Sequence, residues 1–321
     1  MAGSAGQLDP RRWRRHAWLN WLQSVLLLAS MGAVVGLLGH WLWGPDGLVV
    51  FLSLALGGLL LGHGLSPRLA LALYGARPLR AEEAPGLYAL VEELSRRAGL
   101  ERIPTLWWVP SPLLNAFAVG TRRDAAIGLT DGLLRNLDAR ELAGVLAHEV
   151  SHIRADDLWV MGLADLMSRT AHLLSLLGQL LLLFNLPLWA TAGVHLPWGA
   201  LLLLVAAPLV VTAAQLALSR TREFDADLNA AALTGDPEGL ASALARLETL
   251  QGGWLERLFW GRGLPQPSWL RTHPPTEERI ARLLALSQEA EGALAVAAPL
   301  VTRLPEPVVR RPRLRLTGLW Y

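Results

Sequence analysis

The sequence contains no cysteine and no lysine, and its charged residues are scarce. Without cysteine the chain forms no disulfide and offers no thiolate to a metal ion, which agrees with a reducing, cytosolic environment. Every basic side chain is an arginine. Only 17% of the 321 residues are charged, whereas 52% are hydrophobic. This balance is typical of a membrane protein and not of a soluble or secreted domain.

The hydrophobic residues gather into four windows, at about 18–43, 48–73, 170–189 and 194–218. About 20 apolar residues cross a bilayer, so these windows predict four transmembrane helices. Asp165, Arg169 and His172 lie at the start of the third window, which predicts that its helix enters from water or protein before reaching lipid. The first window is too long for the core of a signal peptide, and we expect no cleavable signal.

The distribution of arginine predicts the orientation of these helices. Arginines precede the first window and follow the second and the fourth, whereas the loops at 44–47 and 185–197 contain a single charged residue, Asp46. The positive-inside rule therefore predicts a multi-pass protein of the inner (plasma) membrane with both termini and both large polar segments in the cytoplasm. The net charge of +2 is small, so we interpret RRWRR at 11–15 as a topology anchor and expect no nucleic-acid partner.

The polar segments predict one α+β domain that is split by the last two spans. Its expected elements are a helix at 84–98, strands at 105–110 and 124–130, and helices at 131–137, 219–233, 237–250 and 276–288. The predicted organisation begins with an N-terminal segment at 1–16, two spans at 17–75 and the first half of the domain at 76–157. Two further spans at 158–218, the second half of the domain at 219–290 and a tail at 291–321 follow.

The stretch GVLAHEVSHIRADD at 144–157 predicts an amphipathic helix with two histidines on one face. Asp138, with Glu141 three residues later, has the pattern of a capping box that starts this helix. His148 and His152 are one turn apart, so both rings can reach a single tetrahedral metal ion. Two ordinary buried histidines remain the alternative.

The glutamate after the first histidine has the chemistry of a general base. Glu149 is rotated by about 100° from His148 on the helix, too far to join easily as a ligand but close enough to reach a metal-bound water. A carboxylate there can take a proton during attack on a carbonyl and pass it to the leaving amine. Asp156 and Asp157, just beyond the histidines, are expected only to cap or solvate the helix end.

A zinc site needs a third protein ligand, and the best candidate lies in SRTREFDAD at 219–227. Glu223 and Asp227 are four residues apart on one helical face. Glu223 would bind the metal, and Asp227 would accept a hydrogen bond from the far nitrogen of a ligand histidine. The alternative is a solvated helix face on which these carboxylates pair with Arg220 and Arg222.

Four motifs in order resemble those of the HtpX-type membrane metallopeptidases, relatives of the CAAX prenyl protease. LLNAFAVG resembles the edge-strand motif of that family, LAHEVSH its zinc helix, SRTREFDAD its third-ligand helix and THPPTEERI its C-terminal motif. The likeness extends over about 15–285. It implies a mainly α membrane protein with four transmembrane helices and a cytosolic α+β metallopeptidase domain of the gluzincin type, in which a small β-sheet lies beside the HExxH helix.

The resemblance also implies a role for each matching residue. One Zn²⁺ per chain would be held by His148, His152 and Glu223, with Glu149 as general base and Asp227 supporting a ligand histidine. Asn115 would lie beside the scissile bond, and His273 would reach into the cleft to stabilise the oxyanion. The strand residues that would pair with an extended polypeptide substrate are Asn115, Ala116, Phe117, Ala118 and Val119.

The function implied is zinc-dependent endoproteolysis of membrane or misfolded proteins at the cytoplasmic face of the bilayer. A CAAX-type prenyl-protein peptidase and a non-catalytic membrane scaffold with a retained zinc site are the alternatives. An intramembrane protease would bury the HExxH motif in lipid, whereas this motif helix is amphipathic and flanked by charges. The oligomeric state is left open.

Overall fold

A computed structural model describes residues 10–61, 67–192, 198–255 and 275–292. They form mainly helices and one small sheet. The helices are α1 Pro10–Leu61, α2 Pro67–Leu73, α3 Pro85–Ala98, α4 Asp131–Asn136, α5 Ala139–Arg154, α6 Asp157–Ala192, α7 Trp198–Thr234, α8 Pro237–Leu255 and α9 Thr276–Gly292. The strands are β1 Arg77–Pro78, β2 Thr105–Val109, β3 Ala116–Thr121 and β4 Asp124–Thr130.

The chain divides into two compact units, each with its own hydrophobic core. Among the described residues, the sheet-containing unit comprises those within Leu65–Leu158 and Arg222–Tyr321, and the apolar unit comprises those within Leu8–Gly64 and Trp159–Thr221. Fully buried residues of the sheet-containing unit include Leu94, Leu106, Ile127 and Leu146, and those of the apolar unit include Met31, Leu38 and Val211. Helices α6 and α7 each continue from one unit into the other.

Three helices in the described part of the chain are long and apolar enough to cross a membrane, over Trp21–Trp41, Asp157–Phe184 and Leu201–Thr234. They correspond to the first, third and fourth predicted windows. The second window, 48–73, is not among them, and most of its side chains lie outside the described residues. Its last part forms α2, where Leu71 is fully buried in contact with the sheet. The backbone leaves the helical conformation at Trp43 and at Gly44, the first residue of the predicted loop at 44–47.

The sheet has the strand order β1-β2-β4-β3, so β3 lies at one edge. Strands β2 and β4 are parallel, whereas β3 and β4 form an antiparallel hairpin that closes with Thr121 opposite Asp124. Gly120 has a φ of +102°, a conformation that favours glycine, and a Cβ there would meet the carbonyl oxygen of Asp124. The strands predicted at 105–110 and 124–130 are present as β2 and β4.

Helix α5 is capped as the sequence predicts. The Asp138 carboxylate accepts a hydrogen bond from the Glu141 N–H (2.8 Å), and the Glu141 carboxylate accepts one from the Asp138 N–H (3.0 Å). The buried Glu141 also accepts hydrogen bonds from Ser242 (2.7 Å) and Arg246 (3.3 Å) of α8. The start of the motif helix is therefore held both by its own cap and by α8.

The close approach of α5 and α8 depends on a glycine. A Cβ added to Gly144 would lie only 2.8 Å from the Cα of Leu240, which is a backbone atom and cannot turn aside. We expect Gly144→Ala to force the two helices apart and to lower the free energy of unfolding by about 1–3 kcal/mol. The measurement is the midpoint of thermal unfolding of the detergent-solubilised protein.

The matched control is Gly162→Ala in α6, where an added Cβ meets no atom within 4 Å. That substitution should leave stability unchanged or raise it by up to about 1 kcal/mol, since alanine favours a helix interior more than glycine does. Equal unfolding midpoints for the two variants would contradict the close-packing argument.

Candidate active site

Helix α5 presents its two histidines to the same point. The Nε2 atoms of His148 and His152 lie 3.1 Å apart, and the rings meet edge to face with centroids 4.6 Å apart. His148 is buried and His152 is half-buried. Two imidazoles that turn the same ring nitrogen towards one point are arranged as ligands to a shared ion.

Glu223 of α7 completes a group of three potential metal ligands. Its Oε2 atom lies 3.4 Å from Nε2 of His148, and its Oε1 atom lies 3.9 Å from Nε2 of His152. One donor atom from each residue lies within 4.8 Å of the others. A tetrahedral ion with bonds of about 2.0–2.1 Å holds its ligand atoms about 3.3–3.4 Å apart. The three side chains therefore fit such an ion.

The far nitrogen of His148 faces a buried carboxylate. Nδ1 of His148 lies 3.0 Å from Oδ1 of Asp227, one turn beyond Glu223 on α7, although the ring N–H is not well aligned with that oxygen. Burial alone would lower the pKa of His148, but the carboxylates of Asp227 and Glu223 outweigh burial and raise this pKa to about 10. The same carboxylates attract a metal cation to this place.

A buried arginine outside the predicted site residues contacts Glu223 and Asp227 of α7. Arg279 of α9 donates two hydrogen bonds to Asp227, of 2.7 and 2.6 Å, and its Nη1 lies 3.1 Å from Oε2 of Glu223. Arg279 lies in the THPPTEERI motif, beside Glu277 and Glu278. Those charged neighbours suggest an exposed helix start, which is why the sequence alone gave no reason to place Arg279 in the site.

The structure also corrects the expectation for Asp157. Asp157 does not merely cap or solvate the end of α5, since only 2% of it is exposed. Its Oδ2 atom lies 2.9 Å from Nδ1 of His152, and its Oδ1 atom lies 2.9 Å from Nη1 of Arg222. The neighbouring Asp156 is exposed and has a φ of 55°, a left-handed conformation that aspartate tolerates better than most residues. Asp156 thus makes the turn between α5 and α6.

The charges in this cluster suit a divalent cation. When its carboxylates are ionised and its imidazoles neutral, the cluster carries two more negative charges than positive ones. The groups counted are the carboxylates of Glu149, Asp157, Glu223 and Asp227 and the guanidinium groups of Arg222 and Arg279. Buried charges are stable only when they are compensated, and an ion of charge +2 would compensate these.

Glu149 is buried between the histidines and the sheet. Only 9% of the residue is exposed, and its Oε2 atom accepts a hydrogen bond of 2.9 Å from the backbone N–H of Ala118 in β3. Burial raises the pKa of Glu149, since a carboxylate loses the stabilisation of water there. A raised pKa suits a group that must both take up and release a proton.

The pairing of β3 with β4 shows which backbone groups face away from the sheet. The N–H of Thr130 donates to the carbonyl of Asn115 (3.1 Å), so this pair is hydrogen-bonded. In an antiparallel ladder such pairs alternate with pairs whose backbone groups point outwards. The register therefore turns outwards the N–H and C=O groups of Ala116, Ala118 and Gly120. The bond from Ala118 to Glu149 agrees with this alternation.

The remaining predicted site residues lie on the edge strand β3 or directly before it, except for His273. Asn115 is exposed directly before β3, and its backbone N–H donates to the Thr130 hydroxyl (2.9 Å). Phe117 and Val119 are half-buried in β3, with backbone groups directed at β4, and the ring of Phe117 contacts Tyr74. His273 lies outside the described residues.

Known proteins resemble this chain over most of its length. A protease HtpX homolog of Acaryochloris marina is 40% identical over 290 residues, covering 86% of this chain and 95% of the relative. A protease HtpX homolog of Bifidobacterium longum is 37% identical over 301 residues, with the same two coverages. The crystal structure of S. mikatae Ste24p aligns with a TM-score of 0.48 and 20% identity, covering 83% of this chain and 66% of that chain.

Residues 81–287 match peptidase family M48. This range includes the two histidines of α5 and the Glu223 ligand of α7. The family match, the HtpX relatives and the convergent His-His-Glu group all indicate a metalloprotease. Together with its three candidate spans, they make the chain a multi-pass membrane metalloprotease of the HtpX type, and it belongs to peptidase family M48.

Proposed function

We propose that this protein is a zinc-dependent endopeptidase that hydrolyses peptide bonds of membrane or misfolded proteins at the cytoplasmic face of the membrane. The observation that carries the proposal is the placement of the buried Glu149 between the three convergent ligands and the edge strand β3. The arginine-rich ends of the spans and the absence of cysteine support the cytoplasmic face.

Zinc is the metal that this set of ligands suits best. Two imidazole nitrogens and one carboxylate oxygen, from His148, His152 and Glu223, form a three-ligand set typical of catalytic zinc, which keeps a fourth position for water or substrate. When bound, zinc lowers the pKa of a water molecule and polarises the carbonyl under attack.

Glu149 moves the protons of the reaction. Its Oε2 is held by the Ala118 N–H, which fixes the plane of the carboxylate. Its Oε1 takes the proton from the attacking water and delivers it to the nitrogen of the leaving amine. Because the carboxylate is buried, its pKa lies above that of an ordinary glutamate, so Glu149 takes up the proton from water more readily than an exposed glutamate would.

The edge strand holds the substrate in an extended conformation. The outward groups of β3 that remain for a substrate strand are those of Ala116 and Gly120 and the carbonyl of Ala118, since the Ala118 N–H binds Glu149. Asn115, exposed at the start of this edge, donates its side-chain amide to an oxygen beside the scissile bond. His273, as the family resemblance implies, stabilises the oxyanion.

Glu223→Ala tests the metal site. We expect the purified variant to lose bound zinc, because only the two imidazoles remain as ligands. The positive charge of Arg279 beside the site would also lose the compensating Glu223 carboxylate. Metal analysis of the detergent-solubilised protein gives the zinc content, which should be about one ion per chain in the wild type. An unchanged zinc content in the variant would mean that another residue is the third ligand.

Glu149→Gln separates catalysis from metal binding. The variant should keep its zinc, while its rate of cleavage of an unfolded soluble protein should fall by at least about 10²-fold, since the amide cannot act as a base. The wild-type enzyme should cut the unfolded soluble protein faster than it cuts a prenylated CAAX peptide. Cleavage by the variant at the wild-type rate would remove Glu149 from the mechanism.

The alternation along β3 predicts a pattern in the substrate. We expect single N-methylation of a peptide substrate to lower kcat/KM by about 10-fold at amides that bind β3 and to have little effect at the amides between them, since each lost hydrogen bond is worth about 1–1.5 kcal/mol. Measuring a series of peptides methylated at successive positions tests this, each peptide serving as the control for its neighbour. A uniform effect along the series would argue against strand pairing.

A further inference from the structure

We propose that Asp157 is a positioning residue for the ligand histidine His152, whose ring it holds so that Nε2 faces the metal. The inference rests on the proposed zinc site and adds a residue to it. It assigns to the first residue of α6 a part in metal binding that neither the HExxH motif nor the third-ligand motif contains.

The contact between the two side chains defines the state of the ring. Oδ2 of Asp157 lies 2.9 Å from Nδ1 of His152, a hydrogen-bonding distance. A carboxylate accepts hydrogen bonds, so the proton of the neutral imidazole resides on Nδ1 and the lone pair on Nε2. Nε2 is the atom that lies 3.1 Å from the corresponding atom of His148. The carboxylate therefore selects the form of His152 that can bind the ion.

The carboxylate is itself fixed by a second contact. Its other oxygen, Oδ1, lies 2.9 Å from Nη1 of Arg222, and both side chains are mostly buried. With one oxygen on the ring and the other on the guanidinium group, Asp157 cannot rotate without losing one of the two contacts. The orientation of His152 is thus determined by α6 and α7 as well as by α5.

Each ligand histidine has a carboxylate beside its Nδ1 atom, although the N–H of His148 is less well aligned with its carboxylate than that of His152. Nδ1 of His148 faces Asp227, which binds Arg279, and Nδ1 of His152 faces Asp157, which binds Arg222. Partners of this kind raise the basicity of the imidazole and fix its tautomer, and their removal lowers metal affinity by about 10- to 100-fold. The repetition of the arrangement on the second histidine is what indicates a role in metal binding.

A purely structural role for Asp157 is the competing explanation. An aspartate in the first turn of a helix is stabilised by the helix dipole, and Asp157 begins α6. A dipole interaction alone, however, needs neither burial nor contacts from both oxygens to side chains of the site. Asp156, the exposed residue directly before Asp157, has the same carboxylate without these contacts to the ring. It provides a matched control.

The test is the dissociation constant for Zn²⁺, measured by chelator competition with the full-length protein in detergent. Asp157→Asn should weaken zinc binding by about 10-fold and Asp157→Ala by up to about 100-fold, whereas Asp156→Asn should leave it unchanged. Wild-type affinity in both Asp157 variants would overturn the inference while leaving the proposed zinc site in place. A wild-type protein without affinity for zinc would overturn both.

A double variant distinguishes positioning from charge balance. Asp157→Ala removes the carboxylate that pairs with Arg222, and the loss of this ion pair can destabilise the fold by itself. Combining it with Arg222→Met removes both charges, so the unfolding midpoint should recover while zinc binding stays about 10- to 100-fold weaker than in the wild type. Recovery of zinc affinity together with stability would show that Asp157 only balances Arg222.

Discussion

The uncompensated charge of a buried carboxylate cluster is the constraint around which the sheet-containing unit is organised. Glu149, Glu223, Asp227 and Asp157 are all less than a tenth exposed. An isolated buried carboxylate is strongly unfavourable, so each must find a hydrogen bond, an arginine or a metal ion. The two arginines and the backbone N–H of Ala118 meet part of this need. A divalent ion would compensate the remaining charge, so metal binding would also stabilise the site.

Helix α5 is the element against which the other parts of the site are aligned. It carries both histidines and Glu149, its start is fixed by a capping box, and Glu141 joins that start to α8. The other ligand comes from α7, an unbroken helix over Trp198–Thr234 that also contains a candidate membrane span. Glu223 lies within that candidate span, Leu201–Thr234, so a change of helical register in the part of α7 before Glu223 would displace a metal ligand.

The sequence predicted most helices, two strands and the His-His-Glu group, because each has a local signal: periodicity, a cap or a motif. It did not reveal Arg279, because the contact of that residue with Asp227 joins positions 52 residues apart. It did not reveal the contact of Asp157 with His152, because that contact crosses the turn that Asp156 makes between α5 and α6. The second predicted span was inferred from hydropathy alone. Its last part, 67–73, forms α2 against the sheet, and hydropathy alone does not distinguish an apolar segment that covers a sheet from one that lies in lipid.

The hydrogen bond from Ala118 to Glu149 has a consequence for ligands of this enzyme. In a peptide-like inhibitor that pairs with β3, an acceptor placed opposite the Ala118 N–H would compete with the Glu149 carboxylate for this hydrogen-bond donor. A ligand that leaves this position empty would keep Glu149 ordered. One that takes the position would pull the carboxylate out of line, and would inhibit without touching the metal. Since the donor is a backbone N–H, inhibition of this kind would not depend on the side chains of β3.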